Sequence, residues 1–295
     1  MVEAQTEAKT KTEDEETEVE EKKEEVEEER NQTIGNAKTE AKTSYGELEA
    51  KIKKKTINRL IKSIAGIIDE ARIEVSKDKI TSTMADPSNV CMYNLELKDS
   101  EFEEYGLNEG EDEDRGFETG IDLNRWKKVL KMFDDRKIEI ELTPEETKFI
   151  GDKREVVLDN YDPSTIQQEP KVPDLELPRK FEVDETDFKE AISNSAEIND
   201  NVELKADEEE GEHFVIEANG DAGSYKDQIE IEEDIENEGT AKSTYSLDYL
   251  TDIAKASRLL SGKPDNLEIE LGTDYPTVLR YDYLTFLLAP RIESE

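Results

Sequence analysis

Twelve basic side chains are gathered into two short windows of an otherwise acidic sequence. Lys51, Lys53, Lys54, Lys55, Arg59 and Lys62 form one window, and Arg125, Lys127, Lys128, Lys131, Arg136 and Lys137 form the other. Around them the chain carries 78 Asp and Glu against 39 Lys and Arg, a formal charge of −39 over 295 residues. Bases kept together against that background suit a polyanion such as nucleic acid. The competing reading is a solvated helix face, which one such helix alone would favour. Two in one region leave the readings level.

Catalytic chemistry is sparse. His213 is the only histidine, and Glu212-His213-Phe214-Val215-Ile216 reads as a strand with no nucleophile marked beside it. Cys91 is the only cysteine, so no intrachain disulfide can form, and its neighbours are those of a packing residue. Ser261-Gly262-Lys263-Pro264 lacks the upstream glycine of a phosphate loop and reads as a turn. The acidic runs Glu109–Asp114 and Asp207–Glu212 lack the spacing of a calcium loop and read as solvated loops. The sequence therefore predicts no catalytic residue, no metal site and no cofactor.

The acidity is not confined to one end. Residues 1–46 hold 15 acids and 7 bases, which leaves 63 acids and 32 bases in the remainder. Such a fold repels itself unless the medium screens it, and molar salt shortens the Debye length to roughly 3 Å. A host with high intracellular salt is expected. At that salt, affinity built on phosphate contacts falls by orders of magnitude. Enclosing the duplex escapes the loss, because a closed ring stays on without affinity. No apolar run reaches the ~18 residues of a membrane helix, and the acidic start is not a secretory leader. A cytoplasmic, nucleoid-associated protein of a prokaryote is expected.

The elements that position these residues follow from periodicity. Residues 1–46 are nearly devoid of apolar side chains and predict a disordered acidic arm. Leu48–Ile52 alternates as a strand. Ile57, Leu60, Ile61, Ile64, Ile67 and Ile68 recur at helical spacing, and Ala71–Val75, Lys79–Thr83 and Val90–Leu97 read as strands. Asp122 is a plausible N-cap for a second helix bearing Leu123, Trp126, Val129, Leu130 and Phe133, before a strand at Ile138–Leu142. The plan then repeats: a helix with Phe188, Ala191 and Ile192, strands at Val202–Lys205 and Phe214–Glu217, a helix capped by Ser246, and a strand at Leu267–Leu271. Ile138–Leu142 matches Leu267–Leu271, Leu123 matches Leu247, and Ile73–Val75 is aligned with Val202–Leu204. Two similar domains are implied. Between them Tyr161–Pro178 holds four of the nine prolines and predicts an extended connector.

Three separated strings then resemble one family. They are Ala85-Asp86-Pro87-Ser88-Asn89-Val90, Gln168-Glu169-Pro170-Lys171-Val172-Pro173-Asp174-Leu175, and Leu287-Leu288-Ala289-Pro290-Arg291-Ile292-Glu293. In this order and spacing, over roughly residues 47–295, the chain resembles the DNA sliding clamps (proliferating cell nuclear antigen), especially their haloarchaeal forms. The resemblance implies an α+β fold of two similar clamp domains, residues 47–160 and 179–295, joined by the connector 161–178. Each domain would pack two helices on antiparallel sheets, and three chains would close head to tail into a homotrimeric ring. The function implied is a non-enzymatic processivity factor. It would encircle double-stranded DNA regardless of sequence, and tether DNA polymerase and other replication and repair proteins through a clamp-interacting peptide. A separate clamp loader would open the ring.

By position the resemblance assigns Arg59, Lys62, Arg125, Lys128, Lys131, Lys189, Lys255 and Arg258 to the DNA-facing surface. It assigns Ala85, Met92, Ile166, Val172, Leu175, Pro276, Leu287, Ala289 and Pro290 to the partner-peptide pocket. The subunit interface would use Lys153, Arg154, Val156, Val157, Ile229 and Ile231, with Lys153 and Arg154 facing Glu230, Glu232 or Glu233. One departure stands out: Thr147–Asp159 is compressed, with a tight turn at Gly151-Asp152-Lys153-Arg154. That shortening favours an alternative, a clamp-like interaction module that binds clamp partners or other subunits without closing a ring of its own.

Overall fold

In the computed structural model, residues 46–108, 116–207, 213–256 and 266–291 are described. The acidic arm, the acidic loops at 109–115 and 208–212, and the turn at 261–264 lie outside them.

From Gly46 onward the chain runs through one strand and helix order twice. The first half comprises β1 (Glu47–Lys53), α1 (Lys54–Ile64), β2 (Glu70–Val75), β3 (Lys79–Ala85), β4 (Cys91–Lys98), β5 (Glu104–Asn108), β6 (Phe117–Asp122), α2 (Leu123–Leu130), β7 (Lys137–Leu142), β8 (Glu146–Ile150) and β9 (Glu155–Asp159). The second comprises β10 (Arg179–Asp184), α3 (Glu185–Ser195), β11 (Asn201–Ala206), β12 (His213–Gly220), β13 (Gly223–Asn237), β14 (Ala241–Ser246), α4 (Leu247–Ile253), β15 (Asn266–Leu271), β16 (Thr277–Tyr281) and β17 (Leu284–Leu288). The 15-residue β13 does in one strand what β4 and β5 do in two: its first half pairs with β12 and its second with β10.

Alternation dictates the strands. In β7, Ile138, Ile140 and Leu142 are buried while Lys137 and Glu139 are exposed. α2 starts where the Asp122 carboxylate accepts the N–H of Arg125, and it buries Leu123, Trp126, Val129 and Leu130 along one stripe. Ser246 holds the equivalent place before α4, but its hydroxyl makes no capping bond. α2 ends at Leu130, so Phe133 reaches the core from the turn beyond it.

The strands form a five-stranded sheet, β5-β1-β7-β8-β9, and a twelve-stranded one, β14-β11-β12-β13-β10-β15-β16-β17-β4-β3-β2-β6. The larger sheet is continuous across the halves because β17 pairs antiparallel with β4, from Leu284↔Leu95 to Leu288↔Cys91. The helices share one core with the inward faces of both sheets, and Trp126 meets Phe149 edge to face at 5.0 Å. The two halves do not register over Ile73–Val75 as the sequence suggested. Asp122 and Ser246, each just before a helix, pair with Glu70 and Asn201, which makes Glu74 equivalent to Lys205 and Ile73 to Leu204. The sequence alignment is two residues off, an error that period-2 alternation cannot reveal.

The Asp86–Val90 string is a clasp beside this joint. One Asp86 oxygen accepts the N–H groups of Val90 and Cys91, and the other accepts those of Ser88 and, from α4, the Tyr249 hydroxyl at 3.0 Å. Asn89 takes a positive φ of 54° to complete the turn. Burial opposes the Asp86 charge, but the N–H groups of Cys91, Ser88 and Val90 and the Tyr249 hydroxyl outweigh it, and the carboxyl is held below its ordinary range. Such a group stabilises the fold above its unfolded pKa of about 3.9 and ceases to do so as pH falls through the lower folded value. Asp86→Asn should therefore destabilise the chain by about 1–3 kcal/mol near neutral pH. The gap from the parent should close as pH falls through the lowered folded pKa, as read by denaturant titrations at neutral and at acid pH.

Candidate nucleic-acid interface and partner groove

The four helices form one layer on the core. α1 packs beside α2 and against the short 3-10 turn Ala254–Ala256 that follows α4, while α3 packs beside α4. The apolar stripes of α1 and α2 face inward, so their bases point away from the sheets. Lys55, Lys62, Arg125, Lys128 and Lys131 are exposed, and Arg59 and Lys127 are half-buried. Lys54 is drawn off this face, its ammonium donating to the Phe133 carbonyl. Arg125 is tied to Asp122 at 3.3 Å, which also accepts the Tyr161 hydroxyl.

The second half differs. Lys189 is exposed on α3, but Asp187 and Glu190 flank it on the same helix and Glu197 follows just beyond. Lys255 is exposed and lies 2.6 Å from Asp252 on α4. Arg258 lies outside the described residues. The structure thus brings Arg59, Lys62, Arg125, Lys128 and Lys131 onto adjoining helices and leaves Lys189 and Lys255 among acids.

On the opposite face of the large sheet lies a second apolar cluster: Val278 on β16, Leu287 on β17 and Leu177 on the connector, with Met92 on β4 and Leu175 beside them. Alternation explains it. Tyr93, Leu279, Phe286 and Leu288 point into the main core, so Met92, Val278 and Leu287 point out, among polar neighbours such as Asn94, Glu96 and Arg280.

The connector is pinned at both ends. Tyr161 bridges to Gly120 on β6, and Ile166 is buried against Gly120, where a Cβ would lie 2.4 Å from the isoleucine Cδ1. At the far end Leu177 packs on Gly272, where a Cβ would come within 2.9 Å of it. Between these anchors Val172 is 48% exposed.

Met92, Leu175 and Leu287 thus belong to this outward cluster, and Val172 lies exposed on the connector before it. Pro276, Ala289 and Pro290 are half-buried beside β16 and β17 in sequence, and the Ala289 N–H bonds to the Val90 carbonyl. Ala85 is buried opposite Met92 in the β3–β4 ladder. Ile166 belongs to the main core, because the connector turns inward there through the 3-10 turn Pro163–Thr165. Sequence reasoning missed Leu177 and Val278. For Leu177 the signal was present, since it is the second leucine of Leu175-Glu176-Leu177 and shares its parity.

At the rim, Val156 packs toward the core and Val157 is 46% exposed on β9. Lys153 is exposed in the turn, while Arg154 donates to the Met132 carbonyl and lies 3.4 Å from Asp134. Ile229 is buried in the core and pairs with Phe214 on β12, while Ile231 is paired with Val183 on β10. Glu233 is likewise paired with Glu182 within the chain.

Among the described residues no three His, Cys, Asp or Glu side chains converge on a possible metal position, and no helix is long and apolar enough to cross a membrane. Cys91 is buried, which pushes its thiol pKa up and leaves it inert.

Residues 47–168 match the N-terminal domain of proliferating cell nuclear antigen. A DNA polymerase sliding clamp of Methanosarcina mazei is 34% identical over 257 residues, which span 84% of this chain and 99% of the relative. The chain belongs to the DNA sliding clamp family. The sliding clamp of Archaeoglobus fulgidus is 35% identical over 82% of this chain and 96% of its own, and that of Natronomonas pharaonis 30% identical over 81% and 96%. Among solved structures, A. fulgidus PCNA bound to the C-terminal region of FEN-1 superposes with a TM-score of 0.73 at 31% identity, covering 84% of this chain and all of that one. This clamp is accordingly a processivity factor and not an enzyme. Its helix layer and its outward cluster, rather than any catalytic centre, are where function must be sought.

Placing Ile166 in the clamp's core has a measurable consequence. Ile166→Ala should lower the unfolding free energy by about 2–5 kcal/mol in a denaturant titration, the cost of a buried cavity, whereas Val172→Ala should change it little.

Proposed function

We propose that three copies of this clamp close head to tail into a ring around duplex DNA, and that a separate loader opens it. Partner proteins dock a short peptide on the outward cluster. The carrying observation is the β4–β17 ladder. It joins the end of the second half to the fourth strand of the first, and the two matching edges stay unpaired among the described residues of the chain. Among those residues β9 pairs only with β8, and the first half of β13 pairs only with β12. Unpaired edges seek partners, and these two are the repeats of edges that already fit each other. β9 has five residues, as does β17, so the short β8–β9 hairpin offers as long an edge as the one that joins the halves.

The helices would then line the hole. Arg59, Lys62, Arg125, Lys128 and Lys131 are the residues proposed to face DNA, with Lys189 and Lys255 minor because acids surround them. A modestly basic lining on so acidic a chain suits centring and sliding more than grip, and the overall acidity suits a medium of high salt. The outward cluster offers an apolar docking site on a charged surface, and an aromatic-bearing peptide would be anchored there. The FEN-1 segment seen on the A. fulgidus relative supports a peptide partner.

Light scattering in roughly 2 M KCl should give a mass near three times the 33.7 kDa chain. A monomer there would overturn the ring. Val172→Ala with Leu175→Ala should weaken peptide binding about tenfold or more at unchanged ring mass. Lys128→Glu with Lys131→Glu should slow loading and sliding without altering peptide affinity, and a parallel fall in that affinity would remove those residues from the inner face.

A further inference from the structure

The internal repeat fixes more than which edges meet: it fixes their register. Two successions of strand pairings carry the β4–β17 joint onto β9 and β13. Lys53 and Asp184, the residues before α1 and α3, pair with Lys137 and Asn266, which makes Glu139 equivalent to Glu268. Those two pair with Ile150 and Arg280, which in turn pair with Glu155 and Thr285. Glu155 is thus the counterpart of Thr285. On the other side Glu74 and Lys205 are equivalent; they pair with Thr81 and Val215, which pair with Glu96 and Gln228. Tyr93 is thus the counterpart of Tyr225, and Asn94 of Lys226. In the joint Thr285 lies opposite Asn94 and Phe286 opposite Tyr93.

We infer that β9 of one copy pairs antiparallel with β13 of the next in a single register, with Glu155 opposite Lys226, Arg154 opposite Asp227, and Val156 opposite Tyr225. This rests on the ring proposed above and specifies how its joint is selected. The faces agree with it. Val156 packs against the core, and the Tyr225 hydroxyl reaches Asp227 at 2.7 Å and Asn194 on α3 at 3.3 Å, so both belong to the inner face. Arg154 and Asp227 share that face, while Glu155 and Lys226 share the outer one. Lys226 is exposed and forms no ion pair among the described residues.

The two charge pairs run in opposite senses, Arg154 then Glu155 entering β9 and Lys226 then Asp227 on β13. A slip of one residue therefore sets Arg154 against Lys226 or Glu155 against Asp227, like charge against like. A slip of two leaves neither Arg154 nor Glu155 opposite an opposite charge, and in one direction sets Lys153 opposite Glu230. Exposed ion pairs add little affinity, so the ladder and the Val156–Tyr225 contact hold the joint, and the charges reject wrong alignments.

Two experiments test this on the full chain. Lys226→Glu should raise the concentration at which the ring half-dissociates, at modest salt, by about fivefold, and adding Glu155→Lys should restore it. For geometry, Val157→Cys with Ser224→Cys places two thiols opposite each other, and oxidation should link neighbouring chains covalently; Val157→Cys with Lys226→Cys, displaced by two residues, should not. Cys91 is buried and does not compete. A wild-type ring in which charge reversal is not rescued, and in which the displaced pair links instead, overturns the register while leaving the ring. A wild-type chain that remains monomeric overturns both.

Discussion

The constraint on which this structure turns is that a sheet edge must be covered. The chain could have ended each half as a closed unit, yet β17 leaves its own half to finish the first half's sheet at β4. That one ladder makes a twelve-stranded sheet of two repeats and sets four helices in a single layer on one side of it. It also decides where the outward apolar cluster falls, because Met92 and Leu287 face each other directly across the joint. The clasp at Asp86 sits on the same seam, tying the β3–β4 turn to α4 through Tyr249.

Charge is distributed according to what each surface can use. The helix layer carries its bases on α1 and α2, while α3 and α4 place Glu190 and Asp252 where the first half has Arg59 and Lys128. In the proposed high-salt medium, which screens over a few ångströms, long-range attraction would contribute little, and topology with apolar contact would carry the function. The outer face of the large sheet fits that view. On it three strands and the connector gather Met92, Val278, Leu287, Leu175 and Leu177 among polar neighbours such as Asn94, Glu96 and Arg280. Since the chain belongs to the sliding clamps, its function rests on surfaces rather than on a catalytic centre.

Much of this was legible in the residues. Helix faces such as Leu123, Trp126, Val129 and Leu130, and strands such as Ile138–Leu142, were readable because burial imposes a period. The three family-like strings were also legible, and each has a physical reason: a carboxylate-clasped turn, a connector pinned at two glycines, and a strand that bridges the halves. What alternation could not give was absolute register, so Ile73–Val75 was set two residues from its true counterpart. Nor could it tell Ile166, turned inward by a 3-10 turn, from Val172, left outside on the same proline-rich segment. β13 was legible only in part, because its charged side chains alternate with few apolar ones and conceal a 15-residue strand.

That long strand joins places otherwise far apart. At about 3.3 Å per residue it is a rod of roughly 50 Å. One end lies along the free edge near Tyr225. The other pairs with Arg179 and Lys180, where the connector leaves the outward cluster, and Glu238 just past it bonds to the Pro178 carbonyl. Its ladder with β10 is irregular between Lys180 and Phe181 and again between Glu182 and Val183. Those two irregularities break the ladder a few residues beyond Pro178, so the rod is least regularly held where the chain leaves the connector.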